Sequence, residues 1–130
     1  MSKTPEDLLY SEEHEYLKAT GEENEYLVGI TDYAQGELGD AVFVELPSAG
    51  DSFSRMDVFG TVEAVKAVSD LFCPVACEVV EINDAIDSDP SVVNSDPYGD
   101  GWLLKVRITD ESELDQLLGP TEYRAHIGES

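Results

Sequence analysis

Apolar and polar positions alternate along much of this chain with the period of two that belongs to β-strands. Tyr26-Leu-Val-Gly-Ile30 places Tyr26, Val28 and Ile30 on one face. Ala41-Val-Phe-Val-Glu-Leu46 is rich in β-branched and aromatic residues and stops at Pro47, which has no N–H to give a ladder. Phe59 to Val65 and the run from Ala67 onward read as two strand arms, and Glu78-Val-Val-Glu-Ile82 as a further strand. In Trp102-Leu-Leu-Lys-Val-Arg-Ile108, residues Trp102, Leu104, Val106 and Ile108 face in while Lys105 and Arg107 face out. Gly39-Asp40 and Gly50-Asp51 are turn signals at the spacing of consecutive short strands in a sandwich or barrel.

Helical signals are short. Thr31-Asp32 offers an N-cap for a helix through Gln35 to Leu38, stopped by Gly39. Ser88-Asp-Pro90 reads as an N-cap followed by proline in the first turn, and Asp96-Pro-Tyr-Gly-Asp-Gly101 as a loop. Asp110 and Glu113 suit a capping box, Leu114, Leu117 and Leu118 form an apolar stripe, and Gly119-Pro120 is a stop. The expected end is therefore a C-terminal helix over about 110–118. With no low-complexity linker, residues 1–130 read as a single domain.

Charge changes this picture more than composition does. The 42% apolar share is enough for a core, so the chain is not a disordered acidic tail. Yet 29 Asp and Glu stand against 7 Lys and Arg, a net charge of −22. Such a surface repels a phosphate backbone, so nucleic acid is not an expected partner. No run of about 18 apolar residues predicts a membrane span, and the first residues, Met-Ser-Lys-Thr-Pro-Glu-Asp, do not have the basic and apolar regions of a signal peptide; the expected location is cytoplasmic. The carboxylates cover every segment. They fit adaptation to a salt-rich cytoplasm, or docking on basic partners. Cys73 and Cys77 would lie about 13 Å apart if both sat in one strand, too far to bridge, and read as reduced structural thiols.

A search for catalytic chemistry finds no phosphate-binding glycine motif and no nucleophile motif. Position 18 is Lys, so His14-Glu15 does not open a zinc-binding helix; His14 reads as an ordinary half-exposed histidine, and His126 as solvated in a polar tail. What stands out is Lys66. The chain has four lysines, and Lys66 sits alone in Gly60-Thr-Val-Glu-Ala-Val-Lys66-Ala-Val-Ser-Asp70, between the two strand arms. It is either an ordinary solvated turn lysine or an amine presented for acylation, which would remove its charge.

The surrounding residues are more specific. Gly29-Ile-Thr-Asp-Tyr-Ala-Gln35, Leu38-Gly-Asp40, Val42-Phe-Val-Glu-Leu-Pro47, Val65-Lys-Ala-Val-Ser-Asp-Leu71, Glu78-Val-Val-Glu-Ile-Asn83, Asp96-Pro-Tyr-Gly99 and Gly101-Trp-Leu103 closely resemble the H-protein family of the glycine cleavage system. The resemblance runs from His14-Glu15-Tyr16 to the Glu113–Leu118 segment, and the lysine motif differs from the Asp-Lys-Ala and Met-Lys-Met of other lipoyl domains and biotin carriers. It implies a mainly β fold, a lipoyl/biotinyl-type flattened β-barrel (barrel-sandwich hybrid) with short helices and a C-terminal helix. It implies a non-catalytic carrier with lipoate on Lys66. The implied partners are a pyridoxal-phosphate glycine decarboxylase, a tetrahydrofolate-dependent aminomethyltransferase, dihydrolipoyl dehydrogenase and a lipoylating enzyme. Glu63 and Asp70 match acidic residues flanking the family's lysine, and Glu15 and Asp70 match positions near the cleft that shelters the loaded arm. The rival reading is a lipoyl-relay or lipoyl-domain protein serving another complex. Two residues depart from the family pattern. Tyr16 stands where Trp is common, and Cys77 where a glycine is usual, at a cost of about 1 kcal/mol if that turn needs positive φ.

The charge yields a first test. At about 1 M salt the Debye length is about 3 Å, so self-repulsion among the carboxylates is screened. Melting temperature is expected to rise steadily from low salt to molar KCl; a flat or falling profile would leave docking on basic partners as the account of the acidity.

Overall fold

The computed structural model describes residues 4–128. Among the described residues nine strands form two open antiparallel sheets rather than a closed barrel. The larger contains β1 (Leu9–Tyr10), β2 (Glu15–Ala19), β3 (Glu25–Ile30), β5 (Ser52–Phe53), β8 (Cys77–Ile82) and β9 (Leu104–Ile108), in the order β1-β2-β3-β9-β8-β5. The smaller contains β4 (Ala41–Glu45), β6 (Val58–Ala64) and β7 (Val68–Phe72), in the order β4-β6-β7. The fold is thus the flattened two-sheet arrangement expected of the lipoyl type.

The core lies between the sheets. Leu17, Val28, Val79, Leu104 and Val106 come from the larger one, and Val44, Val62 and Leu71 from the smaller. Alternation explains the sorting. In β9, Leu104, Val106 and Ile108 are buried while Arg107 is exposed. Trp102, read as facing in, precedes the strand and is only half-buried, whereas its neighbour Leu103 is buried.

Strand β2 buries both faces. Leu17 enters the main core, while Tyr16 joins Leu8, Tyr10 and Tyr123 in a second cluster behind the sheet. Tyr10 and Tyr123 stack with centroids 4.6 Å apart, and the Tyr16 hydroxyl donates to the Pro97 carbonyl. Tyrosine at position 16 is therefore partnered at both its ring and its hydroxyl.

The helices follow the sequence in one case and depart from it in two. Thr31 caps α1 (Asp32–Leu38), its hydroxyl accepting from the Ala34 N–H, and Gly39 ends it at φ 81°. Ser88, expected as an N-cap, instead closes α2 (Asp84–Ser88), which is capped by Asn83; Pro90 precedes the one-turn α3 (Val92–Ser95). Asn83 prevails because its side chain both accepts from Ala85 N–H and donates to the carbonyls of Asp100 and Trp102.

The C-terminal expectation also needs correction. Glu111–Gln116 is a 3₁₀ helix, and the C-terminal α-helix, α4 (Pro120–His126), begins at the Gly119-Pro120 read as a stop. Proline suits the first helical turn, where its missing N–H costs no bond, and the Glu122 carboxylate accepts from Gly119 N–H. Glu113 does not close a capping box; its carboxylate accepts from Ala76 N–H at 2.6 Å. The leucine stripe is split. Leu114 and Leu117 pack on the main core, while Leu118 exchanges backbone bonds with Tyr10 and packs on the tyrosine cluster.

Cys73 and Cys77 do not share a strand either. One follows β7 and the other opens β8, so the Pro74–Ala76 turn brings their sulfurs to 3.8 Å. Cys77 has no positive φ, so the cost considered for it does not arise. No helix among the described residues is long and apolar enough to cross a membrane.

Gly60 gives the tightest approach. A Cβ there would lie 2.2 Å from the Glu45 carbonyl oxygen, in the rung that joins β4 to β6. Gly60→Ala is expected to cost about 3 kcal/mol in thermal or urea melts. Gly36→Ala, in open space within α1, should be neutral or stabilising by up to about 1 kcal/mol; equal effects would show that the contact is not what constrains Gly60.

Candidate functional site

Strands β6 and β7 form a hairpin, with Glu63 opposite Val68 and the Ala64 N–H donating to the Ala67 carbonyl. Its turn is only Val65-Lys66, with Val68, Ser69 and Asp70 already paired in β7. The tip is also held. Lys66 N–H donates to the Leu38 carbonyl and Val65 N–H to the Asp40 carbonyl, both at 3.0 Å. These acceptors flank Gly39, and the Lys66 stem packs there, its Cγ 3.1 Å from where a glycine Cβ would stand. The tip's backbone is thus fastened to the end of α1, and the side chain extends from it.

The Lys66 side chain is exposed, and among the described residues its Nζ donates to the Gly36 carbonyl alone, at 3.5 Å. Among the described residues no carboxylate lies within ion-pairing distance of it. Lys18 and Lys105 differ: the first donates to the Tyr98 carbonyl and the second pairs with Glu81 at 3.2 Å. An amine with so few attachments can be acylated without breaking a buried ion pair.

Beneath α1, between the two sheets, lies a cleft of about 260 Å³. Its walls are Glu15 and Ile30 from β2 and β3, Tyr33, Glu37 and Leu38 from α1, and Val62, Ser69 and Leu71 from the hairpin, among others. Leu38 thus lines the cleft and also accepts the Lys66 N–H.

Glu15 is 2% exposed. Burial pushes its carboxyl up to about 8, partly offset by the Ser11 hydroxyl, which donates to Oε1 at 2.9 Å, and by Phe72 N–H, 3.4 Å from Oε2. Its inward aim comes from a tight reversal. His14 sits at φ 76°, and Ser11 N–H donates to the Glu15 carbonyl.

The four residues singled out from the sequence separate into three places. Lys66 is at the tip and Glu15 in the cleft. Glu63 and Asp70 are exposed on the outer face of the smaller sheet, in rows with Phe43 and Val68 and with Glu45 and Thr61. Asp70 does not line the cleft; its neighbours Ser69 and Leu71 do, because strand alternation turns Asp70 the other way.

Residues the sequence reading missed include Ser11, whose position four before Glu15 signals nothing until the reversal is known. His14 and His126 were also under-read. His14 Nδ1 and the Thr31 hydroxyl both hydrogen-bond the Tyr123 hydroxyl, at 2.8 and 2.7 Å, and burial lowers the pKa of His14. His126 is exposed, but it belongs to α4 and bonds the Glu12 carbonyl rather than lying in a loose tail.

Comparison with known proteins assigns the family. The sequence profile described as glycine cleavage H-protein matches residues 8–130. The chain is 53% identical over 129 residues to a glycine cleavage system H protein of Carboxydothermus hydrogenoformans, covering 99% of this chain and 98% of that one. It is 54% identical over 125 residues to the H protein of Chlorobium limicola, covering 96% and 98%. A crystal structure of a glycine cleavage system H protein from Mycobacterium marinum superposes with a TM-score of 0.84 at 40% identity, covering 95% of this chain and 98% of that one. The chain belongs to the glycine cleavage H-protein family.

Glu15 generates a pH test. Its carboxyl is raised on folding from 4.5 to about 8, so the folded state binds one more proton between those values. That contribution is fully present below about pH 4.5 and is lost as pH rises through about 8. Relative to Glu15→Gln, the unsubstituted protein should lose stability by at most about 1.4 kcal/mol per pH unit across this window. A stability difference independent of pH would mean that Glu15 is ionised in the cleft.

Proposed function

We propose that this H-protein family member carries lipoate in amide linkage on Lys66, and that it shuttles the aminomethyl group of glycine among the enzymes of the glycine cleavage system. The observation that carries the reading is the exposed Lys66 amine on a hairpin tip fastened to Leu38, which also lines a cleft with a buried carboxylate. When bound, lipoate supplies a redox-active disulfide on a flexible arm, to which a one-carbon amine can be attached.

The chain's own residues do the rest. The tip hydrogen bonds to Leu38 and Asp40 fix where the arm is rooted. The apolar walls of Ile30, Leu38, Val62 and Leu71 exclude water from a group that enters the cleft. Glu15, protonated at neutral pH when nothing faces it, can give up its proton to face an entering cation. A common arm gives several enzymes access to one intermediate at high local concentration.

The proposed partners are a pyridoxal-phosphate decarboxylase, a tetrahydrofolate-dependent aminomethyltransferase and dihydrolipoyl dehydrogenase, with a lipoylating enzyme that loads Lys66. Glu63 and Asp70, exposed on the hairpin's outer face, are placed for that enzyme to read.

Peptide mass mapping of protein from its native host should place the lipoyl increment on Lys66 alone. Lys66→Arg keeps the charge but cannot take the acyl group, so carrier activity should fall to background while the melting temperature stays unchanged. An increment on Lys18 or Lys105 with Lys66 bare would sink the assignment.

A further inference from the structure

We propose that Cys73 and Cys77 form an oxidisable pair that closes to an intrachain disulfide, a redox-modification site joining the two sheets. Their sulfurs lie 3.8 Å apart across the three-residue turn Pro74–Ala76. Closure to the disulfide length of about 2.05 Å needs only small side-chain rotations and a local shift of the turn. Burial by itself asks only for small apolar residues at these places; sulfur facing sulfur adds a chemistry that burial does not need.

The position gives the bond a consequence. Cys73 follows the last strand of the smaller sheet and Cys77 opens β8 of the larger one. A disulfide here would tie the end of β7 covalently to the start of β8, across the turn that links the two sheets. Phe72, whose N–H faces the Glu15 carboxylate, is the residue before Cys73. The oxidised turn therefore begins two residues after Leu71, which lines the cleft.

The oxidant is assigned by charge and size. A net charge of −22 repels anionic disulfides, whereas hydrogen peroxide is neutral and small. A hollow of about 70 Å³ lined by Arg55, Met56, Pro74 and Leu117, among others, opens over the turn. One sulfur attacks a peroxide oxygen, breaking the O–O bond to give a sulfenic acid and one water. The second sulfur displaces the hydroxyl as another water and forms the S–S bond. Two thiols and one peroxide thus yield one disulfide and two waters, with both sulfurs oxidised and both peroxide oxygens reduced. Whichever sulfur is the thiolate attacks first, and its partner's S–H supports it across the 3.8 Å between them.

The test uses the full chain carrying Lys66→Arg, so that no arm thiols compete. No Lys or Arg lies between Ala67 and Lys105, so trypsin releases both cysteines in one peptide free of methionine. Peroxide is applied until Met56, 37% exposed, is converted to the sulfoxide, which proves that oxidant was present throughout. The expected result is a peptide about 2 Da lighter. Its thiols should resist maleimide in denaturant and be restored by a dithiol reductant. Cys73→Ser and Cys77→Ser should each abolish the 2 Da loss. Complete maleimide labelling after Met56 oxidation, sulfinic acids in place of the loss, or a disulfide between chains would each overturn the proposal.

Discussion

Two backbone hydrogen bonds connect what would otherwise be separate features of this fold. They run from Lys66 and Val65 in the hairpin turn to the carbonyls of Leu38 and Asp40 at the end of α1. The helix brings its own constraint, since Tyr33, Glu37 and Leu38 form one side of the cleft. Fastening the tip to the helix therefore fixes the lysine relative to the cleft through the backbone rather than through side-chain contacts. The left-handed Gly39 makes this possible: it stops α1 and turns the chain at φ 81°, and its missing side chain leaves room for the Lys66 stem. A residue with Cβ at this position would meet both a steric and a backbone cost.

Strand alternation was legible in the sequence because each buried face matches one polar face. That reading located β3, β4, β6, β8 and most of β9, and the Thr31 cap located α1. The family resemblance, rather than periodicity, supplied the two-sheet architecture and the lipoyl role of Lys66, which its isolation between two strand arms had already singled out. What stayed hidden depends on contacts between distant segments. The reversal that buries Glu15 is set by His14 and Ser11, and its carboxylate faces Phe72, far along the chain. The helix at Pro120 was misread because glycine followed by proline marks an end and a beginning equally well. Tyr123 decides between them by stacking on Tyr10. The closeness of Cys73 and Cys77 was not legible because the intervening Pro74–Ala76 turn has no glycine or asparagine to announce it.

Charge is divided sharply between surface and cleft. The chain carries 29 Asp and Glu, and nearly all of the described ones are at least partly open to solvent. Glu15 is the exception. Its burial costs more than the Ser11 and Phe72 hydrogen bonds return, which is why the carboxyl is held neutral. The Glu13 carboxylate, which also lines the cleft, raises Glu15 further.

A neutral acid in a water-poor cleft has a specific thermodynamic meaning for the proposed carrier role. Ionised, Glu15 would carry a desolvation cost in every molecule whose cleft held no cation, which destabilises the resting fold. Protonated, it carries none of that cost and keeps the apolar walls compatible with their neighbour. An entering cation changes the balance, because pairing offsets the desolvation and drives the proton off. The affinity of the cleft for a cation then depends on pH, weakening below the folded pKa of Glu15 because a proton has to be displaced. A permanently ionised carboxylate would bind cations with less pH dependence but would destabilise the empty protein. The burial of Glu15 thus trades some cation affinity for stability of the unloaded fold, a trade that suits a carrier which must spend part of each cycle with its cleft empty.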